Sequence, residues 1–223
     1  MNAKFFPGLI LVSCCSLIAG QSASAGSLYP NGLYGWYDAG ATVVPDAKIK
    51  DFFGASVTGN PVKFDPGFHF GIGIGQEFNR FVKVEVESGF NYNAVNSIEG
   101  ATASSANVYR VPVMGNVVVQ YPNSSGLIPY FGAGVGAQWT QFDAQNVALG
   151  TTTLNENSET WVFGYQGFAG VRYQFRESMS LGLSYHYSVA DAPSWTFSSV
   201  PGGNFKLDAI RTHSLSLAFG WTF

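Results

Sequence analysis

Seven ionisable residues stand at period-two positions in stretches that are otherwise apolar or glycine-rich: Asp38, Glu77, Lys83, Glu85, Glu87, Arg110 and Arg172. Confined together in an interior, three cations and four anions could do one of two things. They could pair as a filler, because unpaired buried charge is costly, or they could select ions in a pore. A second candidate is His186-Tyr187-Ser188. On a strand, residues two apart share a face, so a histidine base could activate a serine there. His69 and His213 are too scattered along the chain to suggest the three or four ligands of a zinc site. The glycine alternations, Gly71/Gly73/Gly75 and Gly132/Gly134/Gly136, follow strand period, whereas a dinucleotide loop needs a strand-to-helix turn. No metal or cofactor is called for.

Eight alternating segments position these residues: 33–44, 67–78, 82–94, 108–121, 129–142, 160–175, 179–189 and 210–223. Each reaches the roughly 9–11 tilted residues that cross a bilayer as a strand. No stretch past the first 25 residues has the roughly 20 apolar residues of a transmembrane helix. The connections alternate between short (79–81, 122–128, 176–178) and long (45–66, 95–107, 143–159, 190–209), the layout of a transmembrane barrel with short periplasmic turns. In the third segment Val82, Val84, Val86, Phe90 and Tyr92 share one face, broken only by Ser88; Lys83, Glu85, Glu87, Asn91 and Asn93 share the other. A soluble barrel puts the apolar face inside and a membrane barrel puts it against lipid. The second arrangement is expected, because the polar faces elsewhere are mostly glycine and the apolar faces end in aromatics, as interfacial girdles do. All seven charges then face the lumen, and Arg211, of outward parity, reaches headgroups at the external end. An eight-stranded interior is just wide enough for side chains to fill, which favours filler over an open channel. Across the turn at 79–81, Phe78 pairs with Val82, so that paired numbers sum to 160 and Glu77 faces Lys83; Arg172 is a possible partner for Glu85 across the lumen.

The two ends carry addresses. Lys4, an apolar run over 5–19 and Ala23-Ser24-Ala25 form a signal peptide with cleavage near Ala25, giving a signal over 1–25 and one barrel domain over 26–223. The rival reading is Leu11-Val12-Ser13-Cys14 as a lipoprotein box, which would cut the apolar run short. Both cysteines, Cys14 and Cys15, precede the expected cleavage, so no disulfide framework follows. The cleaved chain has ten cations against fourteen anions, no electrostatic footprint for nucleic acid. At the other end Leu215, Leu217, Phe219, Trp221 and Phe223 alternate with small or polar residues. This pattern is similar to the closing strand of bacterial outer-membrane barrels, which implies a recognition signal for the barrel-assembly machinery.

Arg110-Val111-Pro112-Val113-Met114-Gly115-Asn116-Val117 and Pro129-Tyr130-Phe131-Gly132-Ala133-Gly134-Val135-Gly136 resemble segments of the outer-membrane β-barrel (porin-like, OmpA/OmpW-type) superfamily of Gram-negative bacteria. The resemblance implies an all-β, eight-stranded antiparallel up-and-down transmembrane β-barrel in the outer membrane, surrounded by lipid and lipopolysaccharide, without fixing a substrate. No counterpart of the peptidoglycan-binding domain of OmpA follows the barrel in this sequence. His186-Tyr187-Ser188 resembles the His-x-Ser of lipid A 3-O-deacylases, but the expected Asn is Val189 and strand parity turns His186 to the lumen, so no catalytic residue is assigned. Phe52, Phe53, Trp195, Phe197 and Phe205 in the long connections could contact a surface ligand; packing over the barrel mouth as a lid is favoured, since no loop carries a charge cluster. The expected role is structural or porin-like, with a surface adhesin as the alternative.

Overall fold

The computed structural model describes residues 32–53, 61–99, 101, 103–149, 152–200 and 204–223; the signal peptide expected over 1–25 lies outside them. Thirteen strands form among these residues, and no helix: β1 (Leu33–Val43), β2 (Ala47–Phe52), β3 (Pro61–Phe64), β4 (Gly67–Glu77), β5 (Val82–Ile98), β6 (Ala103–Gln120), β7 (Leu127–Leu149), β8 (Thr152–Leu154), β9 (Asn157–Arg176), β10 (Met179–Ala190), β11 (Ser194–Thr196), β12 (Asn204–Leu207) and β13 (Ile210–Thr222). Eight of them close a barrel in chain order: β1, β4, β5, β6, β7, β9, β10, β13 and back to β1, every pair antiparallel. These are the eight expected segments. Closure leaves no unpaired edge for lipid to meet, the condition for a sheet to cross a bilayer.

Alternation decides the faces. Phe68, Phe70, Ile72, Val84, Val86, Phe163, Tyr165, Leu181, Leu183, Leu215 and Leu217 lie exposed on the outer wall, while Asp38, Glu77, Lys83, Glu85, Glu87 and Arg110 are buried inside. The register of β4 on β5 sums to 160 throughout, from Phe68↔Tyr92 to Glu77↔Lys83, as the turn dictates. Ser88, the polar exception on the outer face of β5, has a physical reason. Pro112 on neighbouring β6 cannot donate to the ladder, and the pairing of β5 with β6 lapses between Ser88↔Val113 and Asn91↔Arg110. The Ser88 hydroxyl donates to the Pro112 carbonyl at 2.9 Å in that gap.

The long connections depart from expectation, because they carry strands of their own. Past the membrane-crossing length, β5 runs on to Ile98 and pairs β3; β3 pairs β2, β2 pairs β12, and β12 pairs β11, while β8 pairs β7. Segments too short to cross a bilayer, such as Ala47–Phe52 with Ala47 and Ile49 inward and Lys48 and Lys50 outward, still alternate. The two tiers are separated where prolines or short bends interrupt the ladder, at 44–46, 65–66, 191–193 and 208–209. Lys50 braces one break by an ion pair to Asp208 at 3.0 Å.

In this external tier the chemistry of the two faces is exchanged. Val44, Ile49, Val62, Val95, Val108, Phe142, Trp195, Phe205 and Leu207 pack inside as an apolar core. Trp195 is fully buried, 5.4 Å from the Phe142 ring and stacked on Phe205 at 6.0 Å. Phe52 and Phe53 meet Phe205, and Phe197 meets Phe53. The aromatic residues of the first and fourth connections therefore form the lid over the barrel mouth.

A latch holds the fourth connection down. Half-exposed Glu156 accepts the backbone N–H groups of Ser198 and Ser199 at 2.8 Å each. Hydrogen bonds from Ser199, then from Ser198, hold its carboxyl below the ordinary glutamate value. The latch is therefore fully present above that ordinary value and is lost as pH falls through the lowered one. Glu156→Gln should reduce hydrogen-exchange protection of the Ser198 and Ser199 amides several-fold at neutral pH, and acid should do the same to the wild type. Protection unchanged in the variant would show that the carboxylate does not hold this turn.

Candidate functional site

The lumen below the lid is built in layers, each from residues that alternation turns inward. At the short-turn end the register brings Glu77 on β4 opposite Lys83 on β5, and they form an ion pair at 3.1 Å. Gln120 on β6 donates to the same Glu77 oxygen at 2.8 Å and receives Arg172 of β9 at 2.6 Å. The Lys83 ammonium also lies 4.1 Å from the Tyr34 ring centroid, an electrostatic attraction to the ring face. The Tyr34 hydroxyl in turn donates to Glu85 at 2.5 Å. Arg172 is thus engaged by Gln120 and sits 5.9 Å from the Tyr130 ring, so the expected Arg172–Glu85 ion pair is replaced by two separate partnerships. Neutral donors can follow strand spacing where two long charged side chains on distant strands cannot both reach.

One layer up, Glu87 accepts from Asn116 at 2.7 Å and from Gln166 at 2.8 Å, and Gln166 donates to Asn116 as well. Above it Asp38 on β1 bonds His69 Nε2 at 3.1 Å, and His69 Nδ1 lies 3.0 Å from the Asn91 Oδ1. His186 on β10 is stacked flat on Phe168 at 4.9 Å and stands 6.2 Å from His69. Arg110 lies highest, bonded to Thr212 and to Asn93 at 2.7 Å. Asn93 continues to Thr42 and to the Asp65 carbonyl, which joins the polar layers to the apolar lid.

All seven lumenal charges are thus inside one barrel, but among these seven only Glu77 with Lys83 forms a carboxylate–ammonium pair, and Asp38 turns to a histidine. The rest are solvated by amides, hydroxyls and aromatic faces. Among these solvating residues, Tyr34, Gln120, Tyr130 and Gln166 carried no role in the sequence reading, His69 was weighed there only as a zinc ligand, and Asn93 only as part of a polar face. Their inward parity was readable, and so was the reason for the glycines opposite them. A Cβ on Gly73 would stand 2.6 Å from Trp36, and one on Gly132 would collide with Phe168, so glycine on one strand makes room for a ring on the next.

His186 and Ser188 share the inward parity, yet no hydrogen bond joins them among the described residues, and the imidazole face is taken by Phe168. No group of three His, Cys, Asp or Glu among the described residues could hold a metal ion. A cavity of ≈ 60 Å³ remains, running from Gln174, Ser178 and Thr222 at the short-turn end up to Asp38, Trp36 and His186. On the outer wall Leu215, Leu217, Phe219 and Trp221 follow one another along β13 and Phe223 comes just past its end; Tyr37 lies 5.4 Å from Phe219 and 5.9 Å from Trp221. The Phe223 N–H is tied to the Leu33 carbonyl at 3.2 Å.

The family model for the outer membrane protein beta-barrel domain matches residues 8–223. The fold is similar to that of OprG from Pseudomonas aeruginosa (16% identity, 88% of this chain and 100% of that one, TM-score 0.59). It is also similar to Neisserial surface protein A (19%, 86% and 97%, TM-score 0.53) and to AlkL determined in lipid bilayers (16%, 100% and 97%, TM-score 0.51). An uncharacterized protein of Brucella abortus (strain 2308) is 25% identical over 146 residues, covering 54% of this chain. The chain spans about half the length of the curated relatives it matches, 51% for that protein.

The Glu77–Lys83 pair makes a sharp energetic statement, since both side chains are almost wholly buried. Removing one partner from a buried pair strands the other, at roughly 3–5 kcal/mol, whereas removing both does not. Lys83→Ala should therefore destabilise the barrel more than the Lys83→Ala, Glu77→Ala double variant, measured by urea unfolding in detergent. Equal losses would mean that the pair is not a coupled unit.

Proposed function

Because the chain belongs to the outer membrane protein beta-barrel domain family, and is therefore an integral barrel of the bacterial outer membrane, we propose that it serves there as a closed, structural barrel rather than an open pore. The observation that carries this reading is the apolar lid around Trp195, Phe142 and Phe205 seated above a lumen whose walls are filled by the buried, hydrogen-bonded side chains of Glu87, Asn116, Gln166, Asp38, His69 and Asn91. A hydrated ion would have to displace the lid. Export through a signal peptide cleaved near Ala25, and assembly through Leu215, Leu217, Phe219, Trp221 and Phe223, belong to the same reading. So does contact with lipopolysaccharide at the external girdle, where Arg211 lies exposed. Catalysis is not part of the proposal, because His186 is stacked beneath Phe168 and away from lipid.

Three measurements check it. In a planar bilayer the refolded protein should give no sustained single-channel conductance, and steady open channels would overturn the closed reading. Deleting Phe223 should lower outer-membrane levels and leave protease-sensitive protein in the periplasm; undiminished levels would remove the assembly role of β13. Lipid A acylation in expressing cells should be the same with His186→Ala as with wild type, and loss of a wild-type deacylation in that variant would restore the enzymatic reading.

A further inference from the structure

The three histidines of the chain do not face the same way. His69 and His186 are buried in the lumen. His213 has outward parity on β13 and is half-buried on the lipid-facing wall, opposite Val43 on β1 and Tyr187 on β10. Its ring is held from the β10 side: the Tyr185 hydroxyl lies 2.6 Å from Nδ1, and the Tyr187 ring centroid stands 5.2 Å away. Nε2 has no partner among the described residues. Two residues toward the outside, on the same face of β13, Arg211 is exposed. Among the described residues its guanidinium makes one long bond, from Nη1 to the Ala209 carbonyl at 3.4 Å.

The neighbouring acid is already engaged. Asp208 gives one oxygen both to the Lys50 ammonium at 3.0 Å and to the Ala209 N–H at 2.8 Å, and it forms no ion pair with Arg211. A guanidinium offers five N–H donors in a planar fork, the geometry that suits a phosphate. Depth selects where that phosphate comes from. Leu215 and Leu217 continue the same face of β13 into hydrocarbon, with Leu181 and Leu183 of β10 beside them, all exposed. Arg211 alone can reach water on its long stem. An imidazole pinned by Tyr185 has no such reach, so its second nitrogen is served by what the leaflet brings. Residues two apart on a strand stand roughly 6.5 Å apart, a gap that one phosphate group can bridge between an arginine fork and an imidazole.

We propose that Arg211 and His213 form a binding site for the phosphate of a phosphorylated glycolipid in the outer leaflet, whose acyl chains lie below on Leu215 and Leu183. In that site the Tyr185 hydroxyl donates to Nδ1, which leaves the imidazole proton on Nε2 for the phosphate. Tyr185 is thus a positioning residue. The site rests on the reading that the external girdle meets lipopolysaccharide, and it assigns the group that is contacted and the side chains that contact it.

The test folds the full barrel in a maltoside detergent, whose headgroup carries no phosphate. Monophosphoryl lipid A, or the same glycolipid stripped of its phosphate, is added, and native mass spectrometry reads the lipid retained. One phosphorylated lipid should be retained per barrel, at least tenfold more strongly than the stripped one. Arg211→Gln and His213→Phe should each lose that preference; both side chains lie on the outer wall, and folding is judged by heat-modifiable gel migration. Arg80→Gln, exposed at the short-turn end, should keep it. Nitrogen NMR of the histidine side chains should show the proton on His213 Nε2, and a mixture of tautomers in Tyr185→Phe; an unchanged tautomer there would overturn the positioning role. Equal retention of the two lipids would overturn the phosphate site and leave girdle contact standing, whereas retention of neither would overturn both. Preference unaltered in folded Arg211→Gln and His213→Phe, equal loss in Arg80→Gln, or displacement of the lipid by millimolar inorganic phosphate would each overturn the proposal.

Discussion

A backbone in hydrocarbon has no water to bond with, and this single constraint organises the molecule. Every N–H and C=O at membrane depth must find a partner on a neighbouring strand, so the sheet has to close on itself, β13 against β1. Once it is closed, the pleat assigns each residue to lipid or lumen with no further freedom, and a shift of one position would put Glu85 and Glu87 into the bilayer. The lapse of β5–β6 pairing beside Pro112 shows how strict the constraint is: the Pro112 carbonyl, left without a ladder partner there, accepts from a serine on the lipid-facing side of the wall.

The lumen then has a problem of its own, namely how to hold four carboxylates and three cations in a space without bulk water. Ion pairing solves it once, at Glu77 and Lys83. Elsewhere the barrel uses side-chain amides, which can donate and accept at fixed strand spacing, and rings accommodated by glycines on adjacent strands. Polar groups satisfied in this way specify one arrangement of the interior, because each amide has a defined partner.

The wall was legible in the sequence because period two is enforced from both sides: Val84 and Glu85 cannot exchange places. The register of β4 on β5 was legible too, since a three-residue turn fixes it. The partners of the charges were harder to read. Parity says that Gln166, Asn116 and Glu87 face inward, but which of them meet depends on barrel shear, and no single strand encodes that. The Arg172–Glu85 expectation failed for this reason. The external strands were missed because they are shorter than a membrane crossing, although Lys48 and Lys50 alternate with Ala47 and Ile49 as plainly as any residues in the wall.

The exchange of faces between the two tiers fixes how deep the barrel sits. Along β5 the inward residues pass from Asn91 and Asn93 to Val95, while outward ones pass from Phe90 and Tyr92 to exposed Asn96. On β7 the inward row passes from Gln138 to Phe142 and the outward row from Trp139 to Asp143. Sinking the barrel by two residues, roughly 6–7 Å along a strand, would carry Asn96, Asp143 and Arg211 toward hydrocarbon. Raising it would strip lipid from Phe68 and Trp161. The bilayer edge is thereby graduated on the strands themselves, and the residues of the wall oppose both bobbing and tilt.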